Sequence, residues 1–328
     1  MRIKSLCGLI LVIAVAILPA RRASAWIDTG HKIIALMAWE DLTPKTKAAI
    51  TDLLKQHPRY EKDLLLDAPE GATPDELARH AFAVSATWPD MVRSQAHPMH
   101  NQFSHPFWHY IDIPFEDGAK QPQKNEQGPA PHNVVEALAQ CTEELKNEST
   151  SADKKAVDIC WVEHLVGDIH QPLHAATHYS PQFPNGDAGG NGALVLRDPP
   201  YADSQTKLHL VWDAFPGDFE SEFIDRYVAA GLRADPKYAR QQFGTKLGNN
   251  DFAAWANDTH ALAVEYVYLN GKLEVANAPR RGERQTTQPI PGLSNEYKKT
   301  AEKICMQQVA LAGYRLADVL NSIFDPKP

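Results

Sequence analysis

The stretch "HLVGDIHQPLH", residues 164–174, closes a helix-length amphipathic run that begins at Ala152. On a helix, His164 and Asp168 stand four residues apart, on one face and one turn from each other. Both side chains then reach the same cation; on a solvated helix the same pair would be a local stabilising contact and nothing more. Here the helix around the pair is otherwise apolar, and polar groups on a buried face need a partner. "HLVWD", residues 209–213, repeats the spacing with His209 and Asp213, and His174 lies just past Pro172 in "QPLH". A metal is the simplest partner that serves all five groups.

Outward from this stretch the chain reads as mainly α. Ile33, Ile34, Leu36, Met37 and Trp39 recur at helical spacing, and Thr43-Pro44 reads as an N-cap followed by a first-turn proline, opening a helix through Leu54. Further helices are expected over 75–93, 133–145, 152–170 and 296–323. Strand signals are few, and residues 192–197 suit at most a short hairpin edge. Long loops rich in proline and glycine run over 114–131, 178–201 and 278–292. With no internal repeat and no break in composition, the chain is read as a single multi-helix domain over 26–328.

Residues 1–25 have the form of a secretory signal: Arg2 and Lys4, then an apolar run over 6–20, then "ASA" at 23–25. The run is short for a bilayer, and Arg21-Arg22 follow it at once. Cleavage would leave 303 of the 328 residues, beginning at Trp26 with a free α-amino group. It removes Arg2, Lys4, Arg21 and Arg22 and no acid, so the formal charge goes from −8 to −12. So acidic a chain does not hold a polyanion through bulk electrostatics; bound cations would have to supply the attraction. No second apolar run spans a membrane, so the product is expected to be soluble and secreted or periplasmic. Cys141, Cys160 and Cys305 are too few and too widely spaced for a disulfide framework or a thiolate zinc finger, although one disulfide among them is open.

Asp90 in "ATWPDMVR" and His109 in "WHYID" lie in apolar or aromatic surroundings that suit shielded ligands. In "WIDTGH", residues 26–31, the amine and carbonyl oxygen of Trp26 can chelate a metal, and the His31 imidazole completes the grip.

In this order, "WIDTGH", "WPDMVR", "WHYID", "HLVGDIHQPLH", "GDAGGN" and "LHLVWD" resemble the secreted single-strand-specific zinc nucleases of fungi and plants, related in fold to bacterial zinc-dependent phospholipases C. The resemblance implies a mainly α fold of that type and three zinc ions. Asp90, His109, His164 and Asp168 would hold one, His174, His209 and Asp213 a second, and Trp26, His31 and a shared Asp168 the third. It implies hydrolysis of single-stranded DNA and RNA to 5′-phosphates, with 3′-nucleotidase activity, by a monomer. Bound zinc brings the pKa of its water from about 15.7 to about 7, which answers the poor electrophilicity of a phosphodiester.

Arg93, three residues after Asp90, matches the position that braces the phosphate, and its planar fork suits that task. Tyr110 corresponds to a base-stacking aromatic and Asp112 to a group that hydrogen-bonds the base edge. An unpaired base stacks freely, whereas a duplex must first unstack at a cost of a few kcal/mol. Asn191 in "GGN" lies where backbone or side chain approaches the site. Two alternatives stay open: a zinc-dependent phospholipase C, and a secreted zinc-binding protein without catalysis. Asp213, where the phospholipase branch carries glutamate, speaks against the first, and Arg93 beside Asp90 against the second.

Overall fold

The computed structural model describes residues 26–116, 132–199, 201, 204–219, 221–279 and 288–327. The expected signal over 1–25 and the centres of the loops 114–131 and 278–292 lie outside the described residues.

Helix α1 (Asp28–Asp41) is buried along nearly its whole length, from Thr29 to Trp39. It packs against four later helices, so its residues read as apolar on more than one face. Thr43 caps α2 (Pro44–Leu54) as expected, its hydroxyl accepting from Thr46 N at 3.1 Å, with Pro44 in the first turn. Thr73 and Glu76 form a capping box at the head of α3 (Pro74–Ser85).

The helix expected over 75–93 is broken. Pro89 has no N–H to give the Ser85 carbonyl, and its ring crowds that carbonyl. The chain therefore stops at Ser85 and restarts as the short α4 (Trp88–Met91), with the Thr87 hydroxyl donating to Val84 O. After α5 (His100–Phe103) the chain extends into β1 (Pro114–Glu116).

Asn133 caps α6 (Val134–Lys146), and α7 (Ala152–Asp168) then runs through the middle of the molecule. Every residue of α7 from Ala156 to Asp168 is buried, between α6, α2, α11 and α1. β2 (Thr177–Tyr179) pairs in parallel with β1, Pro114 opposite Thr177.

The expected hairpin edge is β3 (Ala193–Leu196), antiparallel to β4 (Gln205–Lys207), and β4 runs directly into α8 (Leu208–Asp213). Two helices follow that were not expected from the sequence, α9 (Glu222–Ala234) and α10 (Phe252–Leu262). β5 (Ala276–Asn277) adds to the other side of β3, and the 30-residue α11 (Asn295–Phe324) closes the fold against α1. The architecture is mainly α, with five short strands in two small sheets among the described residues.

Trp26, Trp88, Trp161, Trp212 and Trp255 are the largest fully buried side chains. Cys141, Cys160 and Cys305 are all buried free thiols, so the disulfide left open among them is not formed.

Candidate metal centre

α7 ends on His164 and Asp168, and the interior ends of other elements converge there. α1 brings His31, α4 brings Asp90, and the segment before β1 brings His109. The turn after α7 brings His174, and α8 brings His209 and Asp213. Their donor atoms fall into three groups, each within 4.8 Å: His31, Asp90 and His164; His109, His164 and Asp168; His174, His209 and Asp213.

Asp168 is the hub. Its oxygens lie 3.4 Å from His31 Nε2, 3.0 Å from His109 Nδ1, 3.2 Å from His164 Nε2 and 3.9 Å from His174 Nδ1. All eight predicted side-chain ligands are thus brought together. His31 stands with Asp90 and His164 as well as with the shared Asp168, and its ring stacks on that of His164 at 3.9 Å.

The start of the described chain lies in the same place. Trp26 is wholly buried, its indole Nε1 donating to Gly167 O at 2.9 Å, and Ile27 N donates to Asp213 O at 3.3 Å. Gly167 is required here: a Cβ at this position would lie 2.7 Å from His31 Nδ1.

The outer shell sets the rings. Nδ1 of His164 faces Ala86 O at 2.8 Å, Nδ1 of His174 faces His109 O at 2.6 Å, and Nδ1 of His209 faces Gly189 O at 2.6 Å. A carbonyl only accepts, so each Nδ1 carries a proton, and in the neutral rings of His174 and His209 the Nε2 lone pair is left free. His174 Nε2, His109 Nε2, both nitrogens of His31, Asp168 Oδ1 and Asp213 Oδ2 are buried with no hydrogen-bond partner among the described residues. Buried polar atoms are seldom left so. Imidazole and carboxylate donors at this density fit zinc ions.

Electrostatics agree. Burial holds His31, His109 and His174 well below the ordinary histidine value and His209 at about 4, so these rings are neutral, as ligands must be. Burial also raises Asp213, and it raises Asp168 to about 6 against the opposing pull of His164. His164 goes the other way: burial lowers it, but Asp168 and Asp90 outweigh that and push it up to about 9. The carboxylates draw positive charge to this point, and a bound cation would displace that proton.

Arg93 donates from Nη1 to Asp90 Oδ1 at 3.0 Å, one helical turn on, with part of its side chain open to solvent. Tyr110 is half-buried beside the exposed ring of Phe107, which the sequence reading passed over. Asp112 accepts from the Thr177 hydroxyl, and burial raises its carboxyl. Asn191 gives its amide to Ala188 O within its own turn.

Several supporting residues also went unread. Gln171 donates to Asp213 Oδ1, and its place inside "HQPLH" was its one signal. Asp187, in "GDAGGN", accepts from His178 N, Gly190 N and the Tyr268 hydroxyl, shaping the loop that presents Gly189 O to His209. Asp63 accepts from Arg59 Nε, Trp88 Nε1 and His97 Nε2, which anchors α4 and hence Asp90. No motif marks it.

The family description "S1/P1 Nuclease" matches residues 26–325. The chain belongs to the S1/P1 nuclease family. It is 26% identical to "Endonuclease 2" of Arabidopsis thaliana over 98% of both chains. It is 24% identical to "Nuclease S1" of Aspergillus oryzae over 93% of both. It is 26% identical to "Nuclease P1" of Penicillium citrinum over 58% of this chain and 66% of that one. Membership of the S1/P1 nuclease family supports a nuclease function, and its match begins at Trp26. Among the described residues no helix is long and apolar enough to cross a membrane.

Proposed function

We propose that the protein is a secreted or periplasmic zinc-dependent endonuclease. It hydrolyses single-stranded DNA and RNA to 5′-phosphate products and removes phosphate from 3′-nucleotides. The observation that carries this reading is the set of three histidine–aspartate groups, buried but for part of Asp90 and two of them sharing His164, with nitrogen and oxygen atoms that lack hydrogen-bond partners among the described residues.

Asp90, His109, His164 and Asp168 would hold one zinc, and His174, His209 and Asp213 a second. His31, Asp168 and the amine and carbonyl of Trp26 would hold the third. When bound, zinc supplies Lewis acidity at the phosphoryl oxygens and a water acidic enough to ionise near neutral pH. The chain's own residues do the rest. Arg93, held by Asp90, braces the scissile phosphate with its guanidinium fork. Tyr110 stacks on the unpaired base, Asp112 accepts from the base edge, and Asn191 lines the approach; the paired bases of a duplex cannot enter in this way. The protein acts as a monomer.

The test is elemental zinc on purified protein whose N-terminus has been sequenced, with nucleotide release from single-stranded DNA and RNA before and after chelation. About three zincs, Trp26 at the start and chelator-sensitive release are expected. Release of diacylglycerol from phospholipid in place of nucleotides would turn the reading to a phospholipase C. Zinc binding with neither product would leave a binding protein.

A further inference from the structure

Between Asp168, which ends α7, and His174 the chain makes a buried turn, and α11 grips it at His170. Gln308 Nε2 donates to His170 O at 3.0 Å, and Arg315 Nη1 lies 2.8 Å from His170 Nε2. Gln308 and Arg315 stand on one face of α11, two turns and about 10 Å apart along its axis.

His170 is wholly buried. Its amide turns to Gly167 O at 3.1 Å, and its ring Nδ1 meets Val166 O, in the last turn of α7, at 2.7 Å. A carbonyl only accepts, so Nδ1 carries the proton. A guanidinium only donates, so Nε2 offers Arg315 its lone pair. The ring is therefore held in one tautomer with both nitrogens engaged. Gln171 follows directly. Its side-chain amide donates to Asp213 Oδ1 and accepts from Leu173 N, and its carbonyl accepts from His174 N at 2.9 Å. The residue that α11 holds is thus joined to the residue that fixes both Asp213 and His174.

Arg315 is only 3% exposed. Its Nε donates to Lys246 O at 3.0 Å, its guanidinium lies 4.5 Å from the centre of the Trp255 ring, and the half-exposed Asp258 stands 3.9 Å away. Burying a cation so loosely paired is costly, and an apolar side chain of similar volume would hold α11 in the core about as well. What the guanidinium adds is directed N–H groups, and one of them points at His170.

We propose that Arg315 and Gln308 are positioning residues of the metal centre: through His170 and Gln171 they hold His174 and Asp213 where, with His209, they ligate one ion. The proposal rests on the zinc reading and extends it to α11, which supplies none of the eight side-chain ligands.

The test is elemental zinc on wild type, R315M, R315K and D213N after gel filtration, at a weak-chelator concentration where wild type just keeps its full zinc. Melting temperatures are measured on the same samples. R315M should weaken one zinc by about tenfold, the low end for losing a partner that orients a ligand, and leave the others. The double variant R315M/D213N should lose no more zinc than D213N, because both substitutions act on one group. R315K keeps a donor for His170 Nε2 and gives up the planar fork, so it should melt below wild type yet retain its zinc. Q308L releases only the His170 carbonyl and should weaken the same zinc; it carries the test where R315M does not fold. Full zinc in both R315M and Q308L overturns the proposal. So does a double variant that loses more zinc than D213N, or zinc loss that follows melting temperature alone, R315K included. A wild type that binds no zinc defeats the zinc reading and this one together.

Discussion

Replacing Asp168 by asparagine tests the shared-ligand assignment most directly. The substitution keeps the size of the side chain and removes one charge from a point 3.0–3.4 Å from the donor atoms of His31, His109 and His164. A structural zinc site has an apparent binding free energy of about 10–16 kcal/mol, so one of four ligands carries about 2.5–4 kcal/mol. Loss of Asp168 should weaken two zincs by about 10²–10³ in Kd each. Asp213→Asn, in the group with His174 and His209, should weaken one. The assay is elemental zinc after gel filtration at a fixed weak-chelator concentration, with circular dichroism as the check on folding. The expected result is a loss of two zincs for D168N against one for D213N, with hydrolysis abolished in the first. A D168N protein that loses no more zinc than D213N refutes the hub reading.

Two further outcomes follow from packing and burial. In Gly167→Ala the new methyl lies 2.7 Å from His31 Nδ1, so the His31 ring must shift. The variant should fold, about 1–3 kcal/mol less stable, and lose one zinc; a full zinc complement by elemental analysis removes His31 from the ligand set. In Asp225→Asn the change relieves a carboxyl that burial pushes to about 7 from an ordinary 3.8. A raised acid favours the fold while it stays protonated, and that stability is lost as pH rises from about 4 through about 7. The full shift is worth about 4 kcal/mol, and partial screening leaves about 1–2. Melting curves should show D225N stabilised at pH 8 and little changed at pH 4; equal shifts at both would sink the assignment.

The ligands were legible because helical spacing maps directly onto space. His164 with Asp168 and His209 with Asp213 lie on helices as the i, i+4 spacing requires, and both caps that begin with a threonine before proline are where proline allows them. What supports the ligands was not legible to the same degree. Gln171, Asp187 and Asp63 act through contacts up to tens of residues away, and local pattern carries no trace of which partner a buried carboxylate will find. α9 escaped for a different reason. Phe223, Ile224, Tyr227 and Val228 recur at helical spacing, but the period does not say which face is buried, and the structure turns Phe223 and Tyr227 outward and buries Asp225. The break between α3 and α4 was signalled by Pro89, and it turns the chain where Asp90 must leave the helix to meet His164.

The inner surface sets two kinds of group against each other, and the opposition explains why folding and metal uptake belong together. Four histidines are held neutral by burial, so a cation entering does not have to displace their protons until the solution is distinctly acidic. The carboxyls are raised instead: Asp213 by burial, Asp168 to about 6 by burial and the charge of Asp90. Without a cation, these acids are relieved by protonation, by the proton that His164 takes up and, at Asp213, by the amide of Gln171. Each bound cation removes that penalty in the folded chain and has no equivalent effect on the unfolded one, where the ligands are far apart. Metal therefore stabilises the fold as it completes the site. Acid opposes both through the same atoms, because a proton added to Asp168 neutralises the carboxylate whose oxygens face both His31 and His109.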